Sequence, residues 1–243
     1  MNWSQRERPG PMGVASASSA YSPARASSGS SASGPAESSS LRRVSNGLKE
    51  MLHLIEGEER GEVLDLSPIS QATVDFFTSR GFRLHSHDLL RSWREFLSEE
   101  LARPARDARA TAPPAEEGED LSQRPARFLA RHMWFEPRKF HAVLLWDALD
   151  YLDANAGSAV VARLAEILRP GGAVLLHLHD KSPDRFFRYR VLDVQTLECV
   201  PAAAPVIFQR PVPNREVMNL FHDFRTSKTF VGRDQIREVL FLR

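Results

Sequence analysis

Two short apolar runs constrain this chain more than any other feature. Ala142-Val143-Leu144-Leu145-Trp146 is unbroken, and residues 173–178 are apolar but for His177. Strands covered on both faces read this way. Between them, residues 158–168 set Val160, Val161, Leu164, Ile167 and Leu168 along one side of a helix. Arg169-Pro170-Gly171-Gly172 then ends the helix, because glycine permits the reversal. The same alternation runs upstream. Residues 41–55 predict an amphipathic helix on Val44, Leu48, Met51, Leu52 and Ile55, and 62–66 a short buried strand. Residues 70–79 predict a helix with Ala72, Val74, Phe76 and Phe77 inward, stopped at Gly81. A strand over 82–87 ends at Asp88, and 93–101 is helical. Downstream, two last strands are expected at 188–194 and 239–242, with a helix over about 214–224 between them. This rhythm predicts an α/β fold: a mostly parallel sheet with helices on both faces.

Composition sets the outer limits. The 243 residues carry a formal charge of +1, so no global field draws in nucleic acid or anionic lipid. No apolar run approaches the roughly 18 residues of a membrane-spanning helix. One cysteine, Cys199, excludes a disulfide framework and a cysteine-built zinc site. Residues 1–45 are rich in serine, alanine and proline and poor in large aliphatics, which predicts a disordered tail before a domain over 46–243. They hold no apolar core of a secretory signal, so a bacterial, cytoplasmic chain is expected. Residues 102–127, with Pro104, Pro113, Pro114, Pro125 and the run Glu116-Glu117-Gly118-Glu119-Asp120, predict an exposed insertion or a lid. Both segments are candidate contacts for a protein partner.

In a parallel sheet, ligands sit beyond the carboxyl ends of the strands, where the strand order reverses. The first such end is Val63-Leu64-Asp65-Leu66, followed by Ser67-Pro68-Ile69-Ser70-Gln71. This segment resembles the first strand and cofactor loop of the class I S-adenosylmethionine-dependent methyltransferases. Asp65 stands at that family's acidic position; Ser67, Ile69 and Gln71 stand where it has three glycines. Ser67 is small enough for a tight turn, whereas β-branched Ile69 resists positive φ. Asp88 closes the second strand, where the family has a carboxylate for the ribose hydroxyls. Residues 140–152, with Trp146-Asp147, are similar to its fourth strand and following turn. Residues 164–175, through Pro170-Gly171-Gly172, match its fifth strand most specifically. The resemblance implies a Rossmann-like, seven-stranded sheet and S-adenosylmethionine as cofactor. It places Asp65, Leu66, Ser67, Ser70, Asp88, Trp146 and Asp147 around that cofactor.

The residues also admit structural roles. Asp65 could cap neighbouring amides, Asp88 could be a solvated strand end, and Asp150 and Asp153 could begin the next helix. His177 and His179 leave the same face of one strand and suggest a general base or metal pair, but no third ligand is identifiable. No catalytic set and no metal site are expected. Cys199 lacks a histidine pattern, and no Walker loop or G-x-G-x-x-G occurs. Arg185, Arg188 and Arg190, interleaved with Phe186, Phe187 and Tyr189, could stack on RNA or simply alternate along an edge strand. Two functions are therefore expected: a methyltransferase of unknown acceptor, small molecule or protein, or a catalytically inactive protein on the same scaffold that binds a partner. Loss of the three glycines motivates the second.

Overall fold

The computed structural model describes residues 40–57, 60–107, 117–232 and 234–243. Its elements run β1 (Leu41–Val44), α1 (Asn46–Ile55), β2 (Glu62–Asp65), α2 (Gln71–Thr78), β3 (Arg83–Ser86) and α3 (Leu89–Asp107). There follow α4 (Glu117–His132), β4 (Phe140–Trp146), a 3-10 turn (Ala148–Tyr151), α5 (Ala154–Ile167) and β5 (Leu168–His179). The last are β6 (Phe186–Val191), β7 (Thr196–Ala202), α6 (Asn214–Leu220), β8 (Thr226–Val231) and β9 (Ile236–Leu242).

The apolar runs pair as their composition demands. A six-stranded sheet has the order β3-β2-β4-β5-β9-β8. Strands β3, β2, β4 and β5 are parallel, and β9 is antiparallel to both β5 and β8. The chain goes from β2 to β3 on one side and returns to β4 on the other, so the order reverses between β2 and β4. The fold is the expected α/β. Its strand count differs: nine strands are described, three of them in a separate antiparallel sheet, β1-β7-β6.

Two apolar layers sandwich the main sheet. One contains Phe96, Phe128, Leu164, Val217 and Phe221 from α3 to α6 and the residue just after α6. The other contains Met51, Phe77, Tyr189, Leu197 and Cys199, from α1, α2 and the small sheet. No helix among the described residues is long and apolar enough to cross a membrane.

Several expected boundaries move, each for a local reason. Residues 41–44 pair with β7 instead of opening the first helix or belonging to a tail. Ser45 ends the strand and caps α1, accepting from the Leu48 amide at 3.0 Å. Arg43 is buried between Asp234 and Glu238, with 3.1 Å to each. The tail's residues 1–39 lie outside the described residues. The segment expected as a loop over 102–127 is helical up to Asp107 and again from Glu117, and 108–116 lies outside the described residues. Pro-Gly-Gly does not end the helix, since α5 stops at Ile167 and β5 begins at once. It forms a bulge at the start of β5, with Gly171 at φ +81. At Gly172 an added Cβ would stand 2.9 Å from the Arg169 carbonyl oxygen, so only glycine fits.

Arg43 offers a direct test of where the folded unit begins. Arg43→Ala leaves the buried Glu238 carboxylate without its cation. It should cost about 3 kcal/mol in urea denaturation, the usual result of breaking a buried pair. Hydrogen exchange in α1 should rise with it. A loss within a few tenths of a kcal/mol would mean that β1 contributes nothing to the fold.

Candidate functional site

The carboxyl ends of β2 and β4 meet at the point where the strand order reverses. Asp65, the last residue of β2, is buried. Its Oδ1 accepts from the Ser67 amide at 3.1 Å, the Ser67 hydroxyl at 2.8 Å and the Trp146 indole N–H at 2.7 Å. Burial pushes its carboxyl up to about 6, against the pull of these donors. Leu66 is buried beside it, and its amide donates to the Leu144 carbonyl at 3.0 Å. No residue from 66 to 71 takes a positive φ. The loop therefore turns without the conformation that glycine would supply, and Ile69, 74% exposed, sits in it without strain.

Strain appears across the crevice instead. Trp146 ends β4 at φ +53, next to a register shift against β5. For a residue with a Cβ this conformation costs roughly 1–2 kcal/mol. The twist aims the indole at Asp65. It also lays the ring against Tyr189 of β6, with centroids 5.1 Å apart and planes 12° apart, and edge-on to His177 at 5.3 Å. Tyr189 donates from its hydroxyl to Asp147 Oδ2 at 3.4 Å.

Asp147 follows Trp146 and is buried. Burial pushes its carboxyl up to about 7; the neighbouring His179 opposes the rise and Asp150 adds to it. His179, at the end of β5, donates from its backbone amide to Asp150 Oδ2 at 2.9 Å, and its Nδ1 lies 2.9 Å from the same oxygen. Its Nε2 stands 4.0 Å from Asp147 Oδ2. Burial works against charge on this imidazole, but the Asp150 hydrogen bond and the two carboxylates outweigh it and raise its pKa. Asp150 Oδ1 also accepts from the Val212 amide at 3.2 Å.

The crevice is lined by Leu66, Ser67, Asp88, Trp146, Asp147 and Tyr189, among others. Five of the seven expected cofactor residues thus meet there outright. Asp65 stands behind them, holding Ser67 and Trp146. Ser70 does not join; it precedes α2 and makes no side-chain cap. Asp88 has a structural task as well, since its Oδ1 accepts from the Arg91 amide at 3.1 Å in the first turn of α3. Asp153 is the expected helix start, capping α5 through the Asn155 and Ala156 amides. Asp150 is not, being fully buried and bound to His179. The Cys199 thiol is buried and pushed up to about 11, the opposite of an activated nucleophile.

The polar groups around the crevice suit a nucleoside: a half-buried carboxylate at Asp88, and backbone and hydroxyl groups at Ser67. The space does not suit one. The cavity holds about 20 Å³, with the Trp146 and Tyr189 rings among its walls. That is room for about one water, which needs roughly 10–15 Å³ of such space. Tyr189 was not legible as part of this crevice, because its strand β6 belongs to the small sheet.

No protein-family model matches the chain, and no curated protein matches it. Solved structures do show likeness. A 1,6-didemethyltoxoflavin-N1-methyltransferase of Burkholderia thailandensis, with 1,6-didemethyltoxoflavin and S-adenosylhomocysteine bound, is 17% identical at a TM-score of 0.41, over 82% of this chain and 77% of that one. A glycopeptide N-methyltransferase in complex with S-adenosyl-L-methionine is 18% identical at 0.38, over 81% and 94%. A SAM-dependent methyltransferase of Methanosarcina mazei is 14% identical at 0.41, over 79% and 96%. At such identities and TM-scores these likenesses say nothing of this chain's own ligand or reaction.

The buried acids predict how stability follows pH. Asp147 rises from 3.8 to about 7 and Asp65 from 3.8 to about 6, and His179 is also raised. Within these windows the folded chain binds protons that the unfolded chain has released, so stability falls as pH rises. The melting temperature should therefore drop between pH 5 and pH 8. Asp147→Asn should flatten the drop and melt a few degrees above the parent at pH 8, with no gain at pH 5. A parent curve that climbs across this range would show that Asp147 is not held in its protonated form.

Proposed function

We propose that the chain is an S-adenosylmethionine-dependent methyltransferase whose acceptor is a small molecule or a protein. The observation that carries this is the gathering of Ser67, Asp88, Trp146 and Asp147 where the strand order reverses, the place at which open α/β sheets bind ligands. Their agreement with the family's pattern in sequence supports the choice of cofactor. When bound, this cofactor supplies a methyl group on an already activated sulfonium, so the protein's share is alignment and the exclusion of water.

The chain's own residues then divide the work. Asp88 accepts hydrogen bonds from a vicinal diol, as carboxylates at this place do in nucleotide-binding sheets. Asp65 holds the Ser67 turn and the Trp146 indole in fixed relation. Leu66 and Leu90 give the crevice an apolar wall. Tyr189 lines the crevice stacked on Trp146, and a cofactor-sized site of several hundred Å³ requires that ring to move away. The cytoplasm, where a buried free thiol is stable, belongs to the same proposal.

One observation favours a second reading. A crevice filled by the chain's own rings, beside a loop without its glycines, suits a scaffold that has given up the cofactor. Such a protein would bind a partner, with the tail and the 102–127 segment as contact segments.

Titration with S-adenosylhomocysteine separates the two. At a hundred times its dissociation constant a ligand adds about 2.7 kcal/mol, a clear rise in melting temperature. The parent should show this rise, and Tyr189→Ala should bind more tightly because it no longer has to vacate the crevice. If neither protein responds, the methyltransferase reading fails and the scaffold reading stands.

A further inference from the structure

Helix α1 packs on β5, β9 and β8 and borders a groove of about 790 Å³. The groove shares no lining residue with the crevice at Trp146. It is lined from Asn46, at the start of α1, to Gly57, just past its end. It therefore runs the length of a ten-residue helix, about 15 Å at the α-helical rise. Its volume falls among small-molecule sites, which hold roughly 300–1,000 Å³.

The floor is apolar. Leu52 of α1, Phe82 of the turn before β3 and Phe230 of β8 pack against the core layer but are only partly covered. Val194, in the turn between β6 and β7, is 43% exposed. Apolar residues scattered singly over a surface need no explanation, but four from four separate segments around one groove do. The rim is charged, and its signs are not matched. Both lining carboxylates have cations: Glu50 pairs with Lys228, and Glu56 lies 3.6 Å from His53. Lys49 is exposed and forms no ion pair among the described residues. Arg80 donates from Nη1 to the Phe76 carbonyl at 3.0 Å and covers the Phe76 ring. Asp193, whose charge Arg80 also feels, accepts from the Gln195 and Thr196 amides at 2.9 Å each.

We propose that this groove binds a long-chain amphipathic anion of the fatty-acid class. The chain lies along Leu52, Phe82, Val194 and Phe230, and the carboxylate pairs with Lys49, with Arg80 adding to the positive potential. The length of the groove selects an extended ligand over a compact one, and the unmatched cation selects its sign. A protein partner would have to cover about 800 Å² on each side, more than a groove of this length offers. The inference is independent of whether the crevice takes a cofactor.

The test uses the full chain and three probes below their micellar concentrations: dodecanoate, octanoate and dodecyltrimethylammonium. Calorimetry should show one dodecanoate bound per chain. Octanoate, four methylenes shorter, should bind at least about tenfold more weakly. Dodecyltrimethylammonium, with the same chain and the opposite charge, should bind about fivefold more weakly, the scale of one exposed ion pair. Val194→Asp should weaken dodecanoate about tenfold, because it sets a carboxylate in the apolar floor. Lys49→Glu should weaken dodecanoate about fivefold and tighten dodecyltrimethylammonium by a similar factor. Both positions are exposed, and an unchanged urea midpoint shows that the variants fold. The proposal is overturned by the absence of saturable dodecanoate binding, by equal affinity for the two charges, or by binding that Val194→Asp leaves intact. Light scattering that finds a dimer which Val194→Asp dissociates overturns it too, because the groove is then an interface between copies.

Discussion

The hydrogen bond from the Trp146 indole to Asp65 governs the geometry of the crevice. It ties Asp65, the last residue of β2, to Trp146, the last residue of β4. A bond to a buried carboxylate of this kind is worth about 1.5–3 kcal/mol, enough to hold Trp146 in a left-handed conformation that costs roughly 1–2. Everything at the site follows from the resulting direction of the indole. Its face is available to Tyr189, its edge to His177, and Asp147 is left facing His179. A tryptophan in ordinary extended conformation would send the ring elsewhere and leave Asp65 buried without this donor.

Ionisable groups with displaced pKa values gather at this same edge of the sheet: Asp65, Asp147, Tyr151, His177, His179 and Tyr189 all depart from their ordinary values. Burial is the largest cause for each but His179, which the Asp150 hydrogen bond and two carboxylates raise against burial. A purely structural core avoids such groups, because unpaired charge in a dry interior is costly. Their concentration near the carboxyl ends of β2, β4 and β5 marks a candidate site in physical terms.

The parallel core was legible because its strands are covered on both faces and so read as continuous apolar runs. Residues 142–146 and 173–178 lie within β4 and β5, and 62–66 holds all of β2. The small sheet was not legible. Strand β1 is a four-residue segment whose arginine is inward, and Leu41 and Val44, its apolar residues, are largely exposed. That reverses the pattern from which a strand is read. Strand β8 is an exposed edge, and nothing in its composition announces it. Helix α4 carries Pro125 in its interior, the residue that argues most strongly against a helix. At the site, Asp65, Asp88, Trp146 and Asp147 were found by their place at strand ends. Asp150 was misread as a helix start because Asp153, three residues on, is the true cap. Tyr189 depends on a pairing between sheets that no local pattern encodes.

The small sheet gives the crevice cover an unexpected lever arm. Tyr189 belongs to β6, β6 pairs with β7, and the other neighbour of β7 is β1, held down by Arg43. The far edge of the sheet that carries this tyrosine is therefore pinned by ions. The pairing thus makes one continuous unit of the strand that carries Tyr189 and the strand that carries Arg43. The segment that composition alone would discard as tail is thus built into the sheet that seats Tyr189 against Trp146.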